Sequence, residues 1–186
     1  MDLYIATEDA LSEAVVERLV METGTHLNIV VRIGRKGNTY LRQKFPELAR
    51  VARTIPVLLV TDLDRIKCPP TLISDWSNGR AVPRQMVFRV AVREVEAWLL
   101  ADRESFSRFT GIPLNRVPMQ PETLIDPKQM LLNLVASYGK RAVQAEILPA
   151  TDVKARQGLG YNQILRRYVH EHWSPERAAT NSKSLA

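Results

Sequence analysis

Four short apolar runs punctuate the first half of the chain, and helical spacing fills the gaps between them. Leu3-Tyr4-Ile5-Ala6 is the first run. Residues 28–33 form the second, β-branched and apolar apart from Arg32, and residues 56–61 form the third. The fourth covers 85–92. Such runs predict strands. Val57-Leu58-Leu59-Val60 is apolar without alternation, which predicts burial on both faces of a sheet. Between the first two runs, Leu11, Val15, Leu19 and Val20 recur at helical spacing, with Glu13, Glu17 and Arg18 off the stripe; a helix over 10–23 ends at Gly24. A second helix is expected over 38–53, broken or bent at Pro46. Cys68-Pro69-Pro70 opens a third that runs through Trp76, and Asn78-Gly79 closes it.

Beyond 93 the strand signal stops. Helices are predicted over 93–101, 103–110, 127–138, 140–147 and 161–173, with a proline-bearing loop at 111–125 and a frayed tail after Pro175. Alternating strands and helices followed by helices alone predict an α/β fold: an open, mainly parallel four-stranded sheet flanked by helices, with a helical C-terminal extension. The expected division is 1–110 for the α/β domain and 111–186 for the extension. In such sheets, sites form outside the carboxyl ends of the strands.

Composition changes this picture little. The 186 residues are 45% hydrophobic and 25% charged, an ordinary globular balance. Cys68 is the single cysteine, so an internal disulfide is excluded, in keeping with a reducing compartment. No run approaches the ~18 apolar residues of a membrane span, and no secretory leader is evident. A cytoplasmic protein without membrane contact is the expectation. The net charge of +6 favours polyanionic partners such as nucleic acid.

Two predicted strands end in acids. The first leads into Thr7-Glu8-Asp9, the third into Thr61-Asp62-Leu63-Asp64. In extended chain Asp62 and Asp64 point to the same side. Carboxylates that close repel one another unless a cation or proton lies between them. Glu8, Asp62 and Asp64 are therefore candidate ligands for Mg²⁺ or Mn²⁺, which would serve phosphoryl chemistry. Each acid has a structural alternative: Glu8 or Asp9 as a helix cap, and Asp64 as a partner of Arg65 or Lys67. Glu96 shares a helical face with Val92, Leu99 and Leu100, where a carboxylate is costly unless paired or metal-bound. It is a fourth candidate in a catalytic set of Glu8, Asp62, Asp64 and Glu96; its alternative is a bond to Arg93 or Arg89. Glu94 falls on the opposite, solvated side.

Candidate contacts to nucleic acid are Arg32, Arg35 and Lys36 around Gly34 and Gly37, then Lys154, Arg156 and Tyr161, the last as a base-stacking ring. Solvated turns are the alternative for both clusters. The Gly-x-x-x-x-Gly-Lys-Ser/Thr phosphate loop is absent. His170 and His172 are two apart and diverge on a helix, so they do not suggest zinc. Cys68 has no neighbouring histidine to make it a catalytic thiol.

Ile5-Ala6-Thr7-Glu8 followed by Val60-Thr61-Asp62-Leu63-Asp64 resembles the Toprim pattern of topoisomerases, primases and overcoming-lysogenization-defect nucleases: Glu after the first strand, Asp-x-Asp after the third. The stretch 92–102, together with Gly160-Tyr161-Asn162 and 173–179, resembles a small stand-alone Toprim-like family of unknown function. One position departs: Toprim proteins usually carry Gly after the glutamate, and this chain has Asp9. The resemblance implies a Toprim, Rossmann-like sheet and a metal-dependent nuclease of DNA or RNA. It also implies an ATPase partner in a setting of phage or plasmid defence. The alternative is a non-catalytic interaction subunit of an ATPase complex. Association between copies of the chain stays open.

Overall fold

A computed structural model describes residues 1–150 and 154–186. The chain is α/β and divides into two compact units, Met1–Val92 and Arg93–Ala186. The first contains β1 (Asp2–Thr7), α1 (Ala10–Glu22), β2 (Asn28–Gly34), α2 (Gly37–Val51), β3 (Val57–Asp62), α3 (Pro69–Ser77) and β4 (Met86–Ala91). All strand pairs are parallel, in the order β2-β1-β3-β4.

Both faces of this sheet are covered, as the unbroken apolar runs predict. Leu41, Phe45 and Leu48 of α2 and Leu72 and Trp76 of α3 form one cluster with Ala6, Leu59 and Val90 from the strands. Helix α1 contributes nothing to that cluster. Ile5 and Val60, each one residue from a cluster member and equally buried, point to the other face. There α1 packs on β1 and β3. Burial of each such side chain contributes roughly 1.5–3 kcal/mol. This explains α2, which runs unbroken through Pro46 instead of ending there. Pro46 forfeits one backbone hydrogen bond, but Leu41, Phe45 and Leu48 anchor the helix on both sides of it.

The strand order has a consequence for chemistry. From β1 the chain moves to one neighbour, β2, and then crosses to the other, β3. The carboxyl ends of β1 and β3 therefore flank the topological switch point, where crossovers leave in opposite directions and a crevice opens.

The second unit is helical: α4 (Val95–Ala101), α5 (Arg103–Thr110), α6 (Pro127–Tyr138), α7 (Arg141–Ile147), α8 (Tyr161–Glu171) and α9 (Pro175–Ala179). Every residue of α4 is buried, so this helix is the unit's core rather than an amphipathic cover. The tail after Pro175 is not frayed. Ser174 caps α9, and the Trp98 indole donates to Ser184 Oγ at 2.8 Å. The Glu122 carboxylate accepts from the Ser182 and Ser184 hydroxyls and from the Lys183 and Ser184 amides. Polar, small residues predicted a solvated tail, but here they are the donors that one carboxylate collects.

Among the described residues no helix is long and apolar enough to cross a membrane.

Candidate functional site: an acidic edge at the switch point

Glu8 follows β1 directly, and Asp62 is the last residue of its neighbour β3. Their adjacency is a product of pairing: Ala6 lies opposite Leu59, so the two strand ends emerge together. Glu8 Oε1 accepts the backbone N–H of Asp62 at 2.9 Å and the Asn38 side-chain amide at 3.2 Å. It also accepts the Thr61 hydroxyl, and Asn38 donates in turn to Thr61 Oγ1 at 3.2 Å. Glu8 Oε2 takes no hydrogen bond among the described residues. One carboxylate oxygen is thus fixed by three donors while the other is left available.

The turn after β2 builds the wall beside Glu8. Arg35 N–H donates to the Thr7 carbonyl at 3.1 Å, and Gly37 N–H donates to the Glu8 carbonyl at 3.0 Å. Gly34 makes this approach feasible. Its φ is +129°, and a Cβ there would lie 1.7 Å from the Thr7 carbonyl oxygen. Only glycine fits such a backbone contact.

Burial raises the Glu8 carboxyl above its ordinary range. The Thr61, Asp62 and Asn38 donors pull it back, and the negative charge of Asp64 pushes it further up. Asp64 therefore acts on Glu8 electrostatically, but strand parity is not what brings it there. β3 ends at Asp62; Leu63 extends the ladder by one bond to the Ala91 carbonyl, and the chain then turns at Asp64 with φ +50°. Asp tolerates that left-handed backbone better than most residues.

Asp9 has a local role. It caps α1, accepting from the Ser12 N–H and hydroxyl at 2.8 Å each. Its φ of −144° is extended, so no glycine is needed at this position.

The donor set of Glu8, Asp62 and Asp64 is all hard oxygen, which suits Mg²⁺ or Mn²⁺ rather than a softer metal. Among the described residues, however, no three His, Cys, Asp or Glu side chains form a ready-made metal cluster.

The other candidates lie elsewhere. Arg35 forms a two-pronged ion pair with buried Glu13 of α1, Nε reaching Oε2 at 2.9 Å. Arg32 bonds Glu17 at 3.0 Å. These acids sit on the polar side of the α1 stripe, so the basic turn is anchored to its neighbouring helix. Lys36 lies over the Tyr40 ring, 5.1 Å from its centroid. Arg156 pairs with Asp126 and reaches Gln129 at 3.3 Å, while Lys154 is exposed.

Tyr161 requires a correction. Its ring is buried, so it does not present a face to a base. Its hydroxyl donates to Glu96 Oε1 at 2.7 Å, and Lys128 Nζ lies 4.8 Å from its ring centroid. Glu96 is buried with it, and burial drives its carboxyl up to about 7, against the Tyr161 hydrogen bond and the Lys128 charge. Its partner is Tyr161, not the Arg93 or Arg89 that sequence spacing offered. Glu94 is half-buried rather than solvated and accepts the Lys128 N–H at 2.9 Å. Asp102, also buried, takes both prongs of Arg177 at 2.9 and 2.8 Å and the Ser174 N–H at 2.9 Å. The Trp173 indole donates to the Trp98 carbonyl at 3.0 Å. The distant segments 92–102, 160–162 and 173–179 thus meet as the polar framework of the second unit.

Sequence reasoning missed Asn38 and Thr61. Thr61 precedes Asp62 and alternates to the opposite side, which was the available signal. Asn38 left none, because only the pairing of β2 with β1 carries it to Glu8.

Compared with protein-family models, curated proteins and solved structures, the chain matches none.

Proposed function

We propose that the edge formed by Glu8, Asp62 and Asp64 binds Mg²⁺ or Mn²⁺ and performs metal-dependent phosphotransfer, in the form of nucleic-acid hydrolysis. The observation that carries this reading is the Glu8 carboxylate at the switch point, with one oxygen tethered by Asp62, Thr61 and Asn38 and the other available. Three donors on Oε1 orient Oε2 and hold it still, which is what a ligand or a proton carrier requires. The raised Glu8 carboxyl supports it too. A group kept from easy ionisation by burial and by Asp64 gains from a nearby cation, and it also carries a proton closer to neutrality. A bound divalent ion would polarise a phosphoryl oxygen and lower the pKa of a bound water. Glu8, Asp62 and Asp64 would hold it, and the resemblance of this constellation to Toprim nucleases supports the same assignment. Glu96 is left out of this chemistry, because its carboxylate is buried against Tyr161.

The test is cleavage of labelled single- and double-stranded DNA and RNA by the purified chain, with and without Mg²⁺ or Mn²⁺. Metal-dependent cleavage is expected to fall by roughly 10²–10⁴-fold in Glu8→Gln and Asp62→Asn, the range associated with a lost acid–base group. Circular dichroism and the urea midpoint should stay close to wild type. Cleavage that survives both substitutions overturns the assignment.

A second reading is a non-catalytic subunit docking to an ATPase partner. The engagement of Glu8 Oε1 by protein donors favours it, since those bonds also serve to join β1, α2 and β3. On this reading, calorimetry with Mg²⁺ and Mn²⁺ gives no saturable binding and Glu8→Gln acts on stability alone.

A further inference from the structure

Asn38 stands in the first turn of α2, where an asparagine side chain commonly bonds its own backbone. Here it crosses to the ends of β1 and β3. Its amide nitrogen lies 3.2 Å from Glu8 Oε1 and 3.2 Å from Thr61 Oγ1. The pairing of β2 with β1 brings it there, because the turn through Gly34 and Gly37 starts α2 beside Glu8. Charge decides which end of the amide faces these oxygens. The Asn38 carbonyl oxygen would be repelled by the Glu8 carboxylate, whereas the NH₂ group is attracted to it.

The hydrogens of this cluster can be assigned one by one. The Asn38 NH₂ group carries two, one for Glu8 Oε1 and one for Thr61 Oγ1. Thr61 is buried, so its hydroxyl must be satisfied within the protein. Having accepted from Asn38, it has its single hydrogen left to give, and Glu8 Oε1 receives it. The Asp62 N–H supplies the third donor at 2.9 Å. All the hydrogens that reach Glu8 therefore converge on Oε1. A carboxylate offers about four acceptor positions over its two oxygens, so three donors saturate one of them. The direction of the chain depends on Asn38. With an acceptor in its place, the Thr61 hydrogen can turn away from Glu8 and Oε1 is no longer saturated.

We propose that Asn38 is a positioning residue: by donating to both Thr61 and Glu8 it sets the direction of the hydrogen-bond chain, saturates Oε1 and leaves Oε2 as the oxygen of Glu8 that works on metal or substrate. The consequence for rate rests on the phosphotransfer reading of this edge, whereas the chain itself is measurable without activity. The first test compares Asn38→Ala with Asn38→Asp, whose carboxylate keeps the shape but has no hydrogen to donate. At saturating Mg²⁺ both should lose roughly 10–100-fold in kcat, as when an outer partner of a working group is removed, with KM close to wild type. Circular dichroism checks their fold. Wild-type kcat in Asn38→Asp, or a loss carried by KM alone, overturns the proposal. The second test follows the side-chain amides of the ¹⁵N-labelled chain by NMR. Both Asn38 amide hydrogens should exchange with water at least about tenfold more slowly than those of exposed Asn115. Thr61→Val should release one of them and leave the other protected. Asn38 hydrogens that exchange as fast as those of Asn115, or a pair unchanged in Thr61→Val, overturn the proposal. A protected pair in a wild-type chain that cleaves nothing upholds the hydrogen-bond chain and overturns the phosphotransfer reading instead.

Discussion

Burial has pushed Glu8 of the first unit and Glu96 of the second above their ordinary range, and the two differ in how they are held. Glu8 sits at a strand end with one oxygen bound by a backbone amide, a hydroxyl and a side-chain amide. Its other oxygen takes no hydrogen bond among the described residues. Glu96 lies inside an entirely buried helix and is held by the Tyr161 hydroxyl, with its carboxyl raised to about 7. Several donors on one oxygen orient a carboxylate for use. With a single side-chain donor opposing it, burial dominates at Glu96 and raises the carboxyl, and the side chain is spent on the contact with Tyr161. A raised carboxyl alone therefore does not distinguish the two; the available oxygen and the strand-end position set Glu8 apart as the candidate.

Exchanging the two charges should separate these roles most sharply. Glu8→Gln is expected to remove roughly 10²–10⁴-fold of metal-dependent cleavage. Glu96→Gln, which keeps an acceptor for Tyr161, should leave cleavage unchanged while altering stability. Equal losses of activity would dissolve the contrast.

The pH dependence of stability comes next. The folded Glu96 carboxyl titrates near 7, above its ordinary 4.5, so the folded state holds the proton more tightly than the unfolded chain. Its contribution is complete below about 4.5 and is lost as pH rises through about 7. The loss is on the order of 3 kcal/mol at its limit. Urea unfolding at pH 5 and pH 8 should show the decline in wild type and a flatter profile in Glu96→Gln. A wild-type profile as flat as the variant's would contradict the assignment.

Gly34→Ala probes the wall beside Glu8. The new Cβ would collide with the Thr7 carbonyl, and the positive φ is strained for alanine. A cost of about 1–3 kcal/mol is expected in the urea midpoint. Weaker metal affinity by calorimetry should accompany it, because β1 must shift.

The smallest effect belongs to Asp9. Asp9→Ala should cost about 1 kcal/mol through the lost cap of α1, and Asp9→Gly a few tenths. Thermal melts resolve the two. A large loss of cleavage in Asp9→Gly, without matching destabilisation, would give Asp9 a role beyond capping.

Much of the fold was legible in local pattern. Val57–Val60 announced a strand buried on both faces, and the alternation of strands with helices announced a parallel sheet. These features follow from side-chain period and burial, which neighbours in sequence encode. Ser182 and Ser184 were illegible, since a small polar tail looks solvated until Glu122 is known to lie beside it. Tyr161 was misplaced for the same reason: an aromatic among basic and glycine residues suggested a surface ring, and its buried partner, Glu96, lies 65 positions earlier.

The candidate site divides the same way. Sequence alone determined which acids end which strands, because an apolar run and the residue after it are local. Only the tertiary structure decided that β1 and β3 are neighbours, that Asn38 and Thr61 hold Glu8, and that Asp64 arrives by a turn. Those facts depend on strand order and on which crossover returns to which edge. Such choices are made by packing between distant segments, and no single stretch of sequence contains them.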